Sequence, residues 1–141
     1  MIAGSRMFAV PAADSETALA HFKAKLALEV DPSDLMHDLK LKVPGFIILD
    51  GRRAASYELG HIPGALNMYH ADINVKSTSA WSKNDLIICY CTGVGCNAST
   101  KAALNLAALG FQVKELIGGL NEWADHGYEV ALGKEPGKIT L

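Results

Sequence analysis

The chain has 141 residues, half of them hydrophobic, with 13 basic and 15 acidic residues and a formal net charge of −2. This favours one folded domain with a sizeable core and argues against nucleic-acid or membrane-surface partners, which select strongly basic proteins. Three cysteines within residues 89–96 do not form a disulfide scaffold, and no apolar run approaches the roughly 20 residues that span a bilayer. We expect a cytoplasmic protein that has no membrane partner and needs no cofactor.

The amino-terminal part is predicted to be an arm followed by two helices. Residues 1–14 are expected to form a flexible arm, and a helical pattern then opens with Ser15 as its expected N-cap. The apolar residues on one side of this extra helix are Ala18, Leu19, Phe22, Leu26 and Ala27. Residues 28–30 form a short strand or the helix end, and a second helix runs from about Pro32 to Lys40, because proline suits the first turn.

The remaining chain alternates strands with helices. Residues 46–50 and 86–90 are continuous apolar runs, which is typical of strands covered on both faces in a parallel sheet. Helices are expected at residues 54–59 and 98–109, the second stopped by Gly110, and a further strand at residues 112–117. This alternation implies right-handed crossovers and an α/β fold.

A thiol begins the loop between the second of these strands and the helix that follows it. Cys91 comes directly after residues 86–90, so it lies near the amino end of the helix at residues 98–109. Free N–H groups and a partial positive charge at that end favour a thiolate. Gly93 and Gly95 can take positive φ and turn loop N–H groups inward. We therefore expect Cys91 at the bottom of an anion cradle.

Polar residues also occur at the end of the neighbouring apolar strand. Asp50 ends the strand at residues 46–50, and ligands of parallel sheets bind at the carboxyl ends of strands. Asp50 and Arg52 are predicted to form an ion pair bordering the site, with a purely structural role as the open alternative. His61 lies in a Gly-His-Ile-Pro-Gly turn and is expected to be a hydrogen-bonded turn residue rather than a base.

Four segments in order carry a family resemblance. An apolar strand ending in Asp-x-Arg occupies residues 46–52, and a Glu-x-Gly-His-Ile-Pro-Gly-Ala signature occupies residues 58–65. A strand entering a cysteine loop occupies residues 87–91, and a Gly-Gly followed by tryptophan occupies residues 118–123. The chain resembles the rhodanese homology domain, most strongly over residues 28–128, within a single domain assigned to residues 15–141.

The resemblance implies a central parallel sheet of about five strands with helices on both faces. It also implies transfer of sulfane sulfur through a persulfide on Cys91, from a small sulfur donor to a thiol or protein acceptor. Whether the chain forms a homodimer stays open. The alternatives are a catalytically weak binding or sensing module and, less favoured, a phosphatase or arsenate reductase of the same fold.

The predicted substrate-binding loop departs from the common family pattern. It consists of Thr92, Gly93, Val94, Gly95, Cys96 and Asn97, with Arg52 beside it. The loop has no arginine or lysine before Lys101, and Asn97 stands where phosphatases of this fold carry arginine. Because a dianion would meet no cation in this loop, we expect thiosulfate to bind poorly. Asn97 and Ser99 are candidate caps of the following helix.

The other two cysteines have different expected roles. Cys89 shares a strand face with Cys91 and is predicted to be a small buried hydrophobic residue. Cys96 is a candidate resolving thiol, with simple packing as the alternative. No metal site is expected, because the spacing lacks a Cys-x2-Cys pair and thiolate zinc sites need four ligands.

Overall fold

A parallel sheet of five strands forms the centre of the structure, a computed structural model that describes residues 3–140. The strands are β1 (Glu29–Val30), β2 (Phe46–Asp50), β3 (Leu66–Asn67), β4 (Leu86–Tyr90) and β5 (Gln112–Leu116). Their order across the sheet is β1-β5-β4-β2-β3, and all four pairings are parallel. The predicted α/β fold is confirmed.

Helices cover both faces of this sheet. They are α1 (Ser15–Leu28), α2 (Pro32–Lys40), α3 (Ala54–Leu59), α4 (Ala98–Ala108) and α5 (Gly119–Asp125), with a short 3-10 turn at His70–Asp72. The core on one face joins the sheet to α2, α3 and α5, and the core on the other face joins it to α4. This agrees with the expected arrangement of a sheet between two helical layers.

The central strands contribute to both cores. Ile48 and Ile88 pack against α2 and Trp123 on one face, whereas Ile87 and Cys89 pack against α4 on the other. Successive side chains of a strand point to opposite faces, so a strand covered on both sides is apolar throughout. Cys89 is fully buried, as predicted, and burial raises the pKa of its thiol to about 12.

The predicted N-cap of α1 is wrong. Its N-cap is Asp14 rather than Ser15, because the Asp14 carboxylate accepts a hydrogen bond of 2.7 Å from the Thr17 N–H. Its apolar side chains do not enter the core: Leu26 is 75% exposed, and α1 contains no buried residue. The helix contacts β1 and β5, so it lies at the β1 edge of the sheet.

The residues after β5 and α5 return to the turn that precedes β3. Ala131 and His61 exchange two backbone hydrogen bonds, of 2.9 and 2.8 Å, and the Pro136 carbonyl accepts one of 2.8 Å from Gly64. His61 is fully buried, and its ring nitrogens lie 2.8 Å from the Tyr57 carbonyl oxygen and 3.0 Å from that of Glu135. The expected hydrogen-bonded turn is therefore present.

The sequence predicts a flexible arm at residues 1–14 and a single domain at residues 15–141. Residues 3–14 form exposed turns and bends, and their flexibility stays a prediction. Residues 1, 2 and 141, which belong to the predicted segments, lie outside the described residues. Within residues 3–140, no helix is both long enough and apolar enough to cross a membrane.

Candidate active site

Cys91 lies immediately beyond β4, at the edge of the sheet where the parallel strands end. Its sulfur is 3.1 Å from the carbonyl oxygen of Cys96, to which the thiol donates, and 3.4 Å from the Ser99 hydroxyl in the first turn of α4. Burial raises the pKa of the Cys91 thiol, and the Ser99 hydroxyl opposes that effect only in part. The sulfur is thus held between the loop and the start of α4.

A carboxylate from the next strand completes this group. Ser99 donates a hydrogen bond of 2.9 Å to Glu115 on β5, and Thr100 donates one of 2.8 Å to the same carboxylate oxygen. Ser99 was a predicted helix cap, but its hydroxyl bonds to Glu115 instead. Sequence reasoning missed Glu115, although its place near the carboxyl end of a strand beside β4 is the signal that would have found it.

Cys96 occupies the position with the most N–H donors. Partial burial acts to raise the pKa of its thiol, but the N–H groups of Ala98 and Thr92 and the neighbouring Cys91 thiol together lower it below its ordinary value. The positive charge of Arg52 acts in the same direction. Backbone N–H groups therefore act on the pKa of both thiols.

The loop turns without left-handed glycines. Neither Gly93 nor Gly95 has positive φ, so the prediction that these residues invert the backbone is wrong. A hydrogen bond of 3.1 Å from the Cys96 N–H to the Gly93 carbonyl closes the turn in an ordinary conformation. A side chain at Gly93 would displace that of Asn121, because a Cβ there would lie 2.7 Å from the Asn121 amide nitrogen.

The amino end of α5 holds the loop from the other side. Leu120 and Asn121 donate backbone hydrogen bonds of 2.9 Å each to the carbonyls of Cys91 and Thr92. Gly119, at φ +58°, lies so close that a Cβ would overlap the Cys91 carbonyl oxygen. The Gly-Gly motif thus positions the cysteine loop directly.

Arg52 braces the loop and is itself fully engaged. Its guanidinium lies 2.7 Å from Asp50 in the predicted ion pair and donates to the Gly60 carbonyl at 2.7 Å. A weaker contact of 3.5 Å reaches the Thr92 hydroxyl. Arg52 therefore supports the loop from the β2 side and does not line the cleft described next.

A cleft of about 230 Å³ opens above Cys91. It is lined by part of the loop, the first turn of α4, and the ends of β1 and β5, namely Glu29, Cys91, Gly93, Val94, Cys96, Ser99, Thr100, Glu115, Leu116, Ile117, Gly118 and Gly119. Of the predicted loop residues, Thr92, Gly95 and Asn97 do not line it. Asn97 is the N-cap residue of α4, as predicted, but its exposed side chain makes no capping hydrogen bond.

Comparison with known proteins agrees with this architecture. A family model described as "Rhodanese-like domain" matches residues 32–126. The chain belongs to the rhodanese-like domain family. Its match lies within the region of residues 28–128 where the resemblance was predicted to be strongest.

Solved structures similar to this rhodanese-like domain include a crystal structure of a Bacillus halodurans protein. That protein is 41% identical with a TM-score of 0.82, over 86% of this chain and 88% of the other. The solution structure of a rhodanese-like domain from Anabaena sp. is 32% identical with a TM-score of 0.65, over 75% and 80% of the two chains. A thiosulfate sulfurtransferase from Pseudomonas aeruginosa shares the fold, at 19% identity and a TM-score of 0.66, over 84% of this chain and 23% of that one.

A segment similar to this domain also occurs within a longer curated protein. An HTH-type transcriptional regulator from Mycobacterium tuberculosis is 32% identical over 90 residues. The match covers 64% of this rhodanese-like domain and 39% of the regulator, so it spans well under half of that relative's length.

Proposed function

We propose that the protein is a sulfurtransferase that carries sulfane sulfur on Cys91. In the first step the Cys91 thiolate attacks the outer sulfur of a donor R–S–SH, giving Cys91–S–SH and R–S⁻. In the second step an acceptor thiolate R′–S⁻ attacks the outer sulfur of Cys91–S–SH, giving R′–S–SH and the Cys91 thiolate. Each step is a nucleophilic substitution at sulfur that conserves charge and atoms.

One observation carries this proposal: the Cys91 sulfur lies on the floor of a cleft, at the end of a central strand and beside the first turn of an eleven-residue helix. An inert core thiol such as Cys89 has no cleft above it. Hydrogen bonds to a charged group each contribute roughly 1.5–3 kcal/mol, so N–H groups of the loop and helix can stabilise a persulfide anion here. The family membership supports the same chemistry.

Cys96 supplies the base that a buried Cys91 thiol needs. The two thiols share one loop and act on each other's pKa: burial raises the pKa of Cys91, whereas N–H donors lower that of Cys96. A Cys96 thiolate can therefore take the Cys91 proton as Cys91 attacks. As a resolving thiol, the same thiolate attacks Cys91–S–SH at its inner sulfur, forming a Cys91–Cys96 disulfide and releasing HS⁻.

Intact mass spectrometry after incubation with the persulfide of 2-mercaptoethanol tests the proposal. The native protein is expected to gain one sulfur atom that a reductant removes, and peptide mapping should place it on Cys91. Cys91→Ser should abolish the gain, because serine cannot supply a soft thiolate. Cys96→Ser should load more slowly but hold the sulfur longer, because the base and the resolving thiol are both lost.

Cys89→Ser is the matched control, since it removes a thiol from the same strand without touching the cleft. It should load normally while losing stability, because a hydroxyl replaces a thiol in an apolar core. Labelling of Cys91→Ser at the native level would contradict the assignment. Failure of the native protein to load with any donor would favour the alternative, a binding or sensing module.

A further inference from the structure

Two carboxylates and no cation line the cleft above Cys91. Glu115 and Glu29 are its charged residues, and none of the lining residues within the described part of the chain is lysine, arginine or histidine. Glutamate side chains carry a negative charge at neutral pH. The charge that an entering ligand meets is therefore negative on the side of β1 and β5.

The two carboxylates differ in how far their charge is compensated. Glu29 forms an ion pair of 2.6 Å with Lys25. Glu115 accepts hydrogen bonds from two neutral hydroxyls, and no cation among residues 3–140 lies within ion-pair distance of it. The nearby Lys114 ammonium donates to the Leu26 carbonyl at 3.3 Å instead. Glu115 is thus the cleft's uncompensated charge.

Glu115 is also close to the reacting atom. Only the Ser99 hydroxyl separates its carboxylate from the Cys91 sulfur, through contacts of 3.4 and 2.9 Å. A small molecule whose sulfur reaches Cys91 and which bears an ammonium group two carbons away can place that ammonium against Glu115. A carboxylate or sulfonate at the same place would be repelled.

We propose that Glu115 selects the sulfur-exchange partners of Cys91 by charge, favouring aminothiols and their persulfides or disulfides over anionic thiols. The inference rests on the proposed function of Cys91 and names the class of small molecule that the site takes. Two unit charges about 6 Å apart interact by roughly 0.7 kcal/mol in water and several times more near a protein surface. Removing the Glu115 charge should therefore alter the preference by at least about threefold.

The test uses three thiols of similar size and different charge: cysteamine, 2-mercaptoethanol and 3-mercaptopropionate. The Cys96→Ser protein, which keeps its persulfide longer, is first loaded with sulfur and freed of excess donor, and each thiol then removes the outer sulfur of Cys91–S–SH. The second-order rate constants are measured by the loss of one sulfur from the intact mass. We expect the ratio of the cysteamine rate to the 3-mercaptopropionate rate to fall at least about threefold in Glu115→Gln.

Glu115→Gln keeps an oxygen that accepts from Ser99 and Thr100, so the contacts of the site are conserved while the charge is removed. Comparing the same two thiols across variants cancels their intrinsic reactivities and any effect of the variant on Cys91 itself. Glu16→Gln is the matched control, because it removes an exposed carboxylate from the first turn of α1, outside the cleft. It should leave the ratio unchanged.

A second measurement separates this inference from the proposed function. In the Cys96→Ser background, Cys91 is allowed to form mixed disulfides with cystamine, bis(2-hydroxyethyl) disulfide or 3,3′-dithiodipropionate, each reaction releasing one thiolate. A preference for cystamine that Glu115→Gln weakens supports charge selection even if no persulfide ever forms. In that case only the proposed sulfur transfer would be contradicted. Equal ratios with and without Glu115→Gln, in both measurements, would overturn charge selection whether or not Cys91 carries sulfur.

Discussion

Cys91 and Cys96 share one loop, but the atoms around each sulfur differ. Burial dominates at Cys91 and raises the pKa of its thiol, whereas N–H groups at the start of α4 lower the pKa of Cys96. Cys89, one strand position before Tyr90, is fully enclosed, and burial raises its pKa to about 12. Three thiols close in the chain therefore have three different reactivities.

The order of alkylation follows from these pKa directions. A lowered pKa means a larger thiolate fraction at a given pH, so Cys96 should react with iodoacetamide at a lower pH than Cys91, and Cys89 should stay unlabelled in the folded protein. Peptide mapping after brief labelling across a pH series measures all three sites. Labelling of Cys91 ahead of Cys96 throughout the series would contradict the order.

Asn97 does not itself line the cleft, but it follows Cys96, which does, so a long cationic side chain there adds charge to the loop. Its side chain is exposed and makes no capping hydrogen bond, so replacement removes no contact of α4. Asn97→Arg should raise kcat/KM for thiosulfate about tenfold, since roughly 1.4 kcal/mol of added transition-state stabilisation is a factor of ten. The persulfide of 2-mercaptoethanol, which carries less negative charge than the thiosulfate dianion, should gain far less.

Ala108→Arg is the matched control for that charge. It adds the same side chain at the exposed far end of α4, away from the cleft. Steady-state kinetics of the three proteins with both donors at one ionic strength compares them. Equal gains for the two donors, or an equal gain from Ala108→Arg, would show that local charge in the loop is not the limiting factor.

At the scale of elements, the site is built by β4, the loop that follows it and the amino ends of α4 and α5. The loop carbonyls of Cys91 and Thr92 each accept a backbone hydrogen bond from α5. This is possible only because Gly119 lets the two backbones approach closely. The geometry of the thiol therefore depends on a helix that begins beyond the next strand.

Gly119→Ala tests that dependence. It should destabilise the fold and abolish sulfur loading, because its Cβ would overlap the Cys91 carbonyl oxygen and its φ of +58° strains any other residue. Gly127→Ala is the control, since it has φ +77° with no atom within 4 Å and should cost only about 1–2 kcal/mol of backbone strain. Urea unfolding measures both, and equal losses of unfolding free energy would mean that close approach is unimportant.

At the scale of the whole molecule, the residues after α5 form hydrogen bonds with the turn around His61. Residues 131–136 accept or donate hydrogen bonds to His61 and Gly64, and His61 is fully buried beneath them. Removing these residues would leave buried polar groups without partners. Such groups cost roughly 1–3 kcal/mol each.

Two truncations isolate this contribution. A chain ending at Val130 should lose several kcal/mol of unfolding free energy relative to one ending at Gly137, because two or more buried groups then lack partners. The longer truncation keeps every hydrogen bond to His61 and Gly64. Equal midpoints in urea for the two chains would indicate that the segment lies on the surface without supporting the turn.

Much of the fold follows from local patterns. The apolar runs at β2 and β4 identify buried central strands because only a strand covered on both faces is apolar at every position. The helices between strands, the glycine that ends α4 and the burial of Cys89 follow from the same kind of local evidence. The α1 helix shows the limit: its residues predict a helix, yet the helix contains no buried residue, because a pattern along the chain does not say whether a side chain is covered.

The sequence by itself determined a parallel α/β fold with a cysteine at the carboxyl end of a central strand. Hydrophobic patterns and the alternation of strands with helices can be read from residues that are neighbours in the chain. Tertiary structure alone decided what surrounds that cysteine. Glu115 reaches Ser99 through the pairing of β4 with β5, Arg52 is engaged by Asp50 and Gly60, and Gly119 holds the loop from α5. These contacts join residues distant in the chain, and their charges and distances exist only once the sheet has brought the strand ends together.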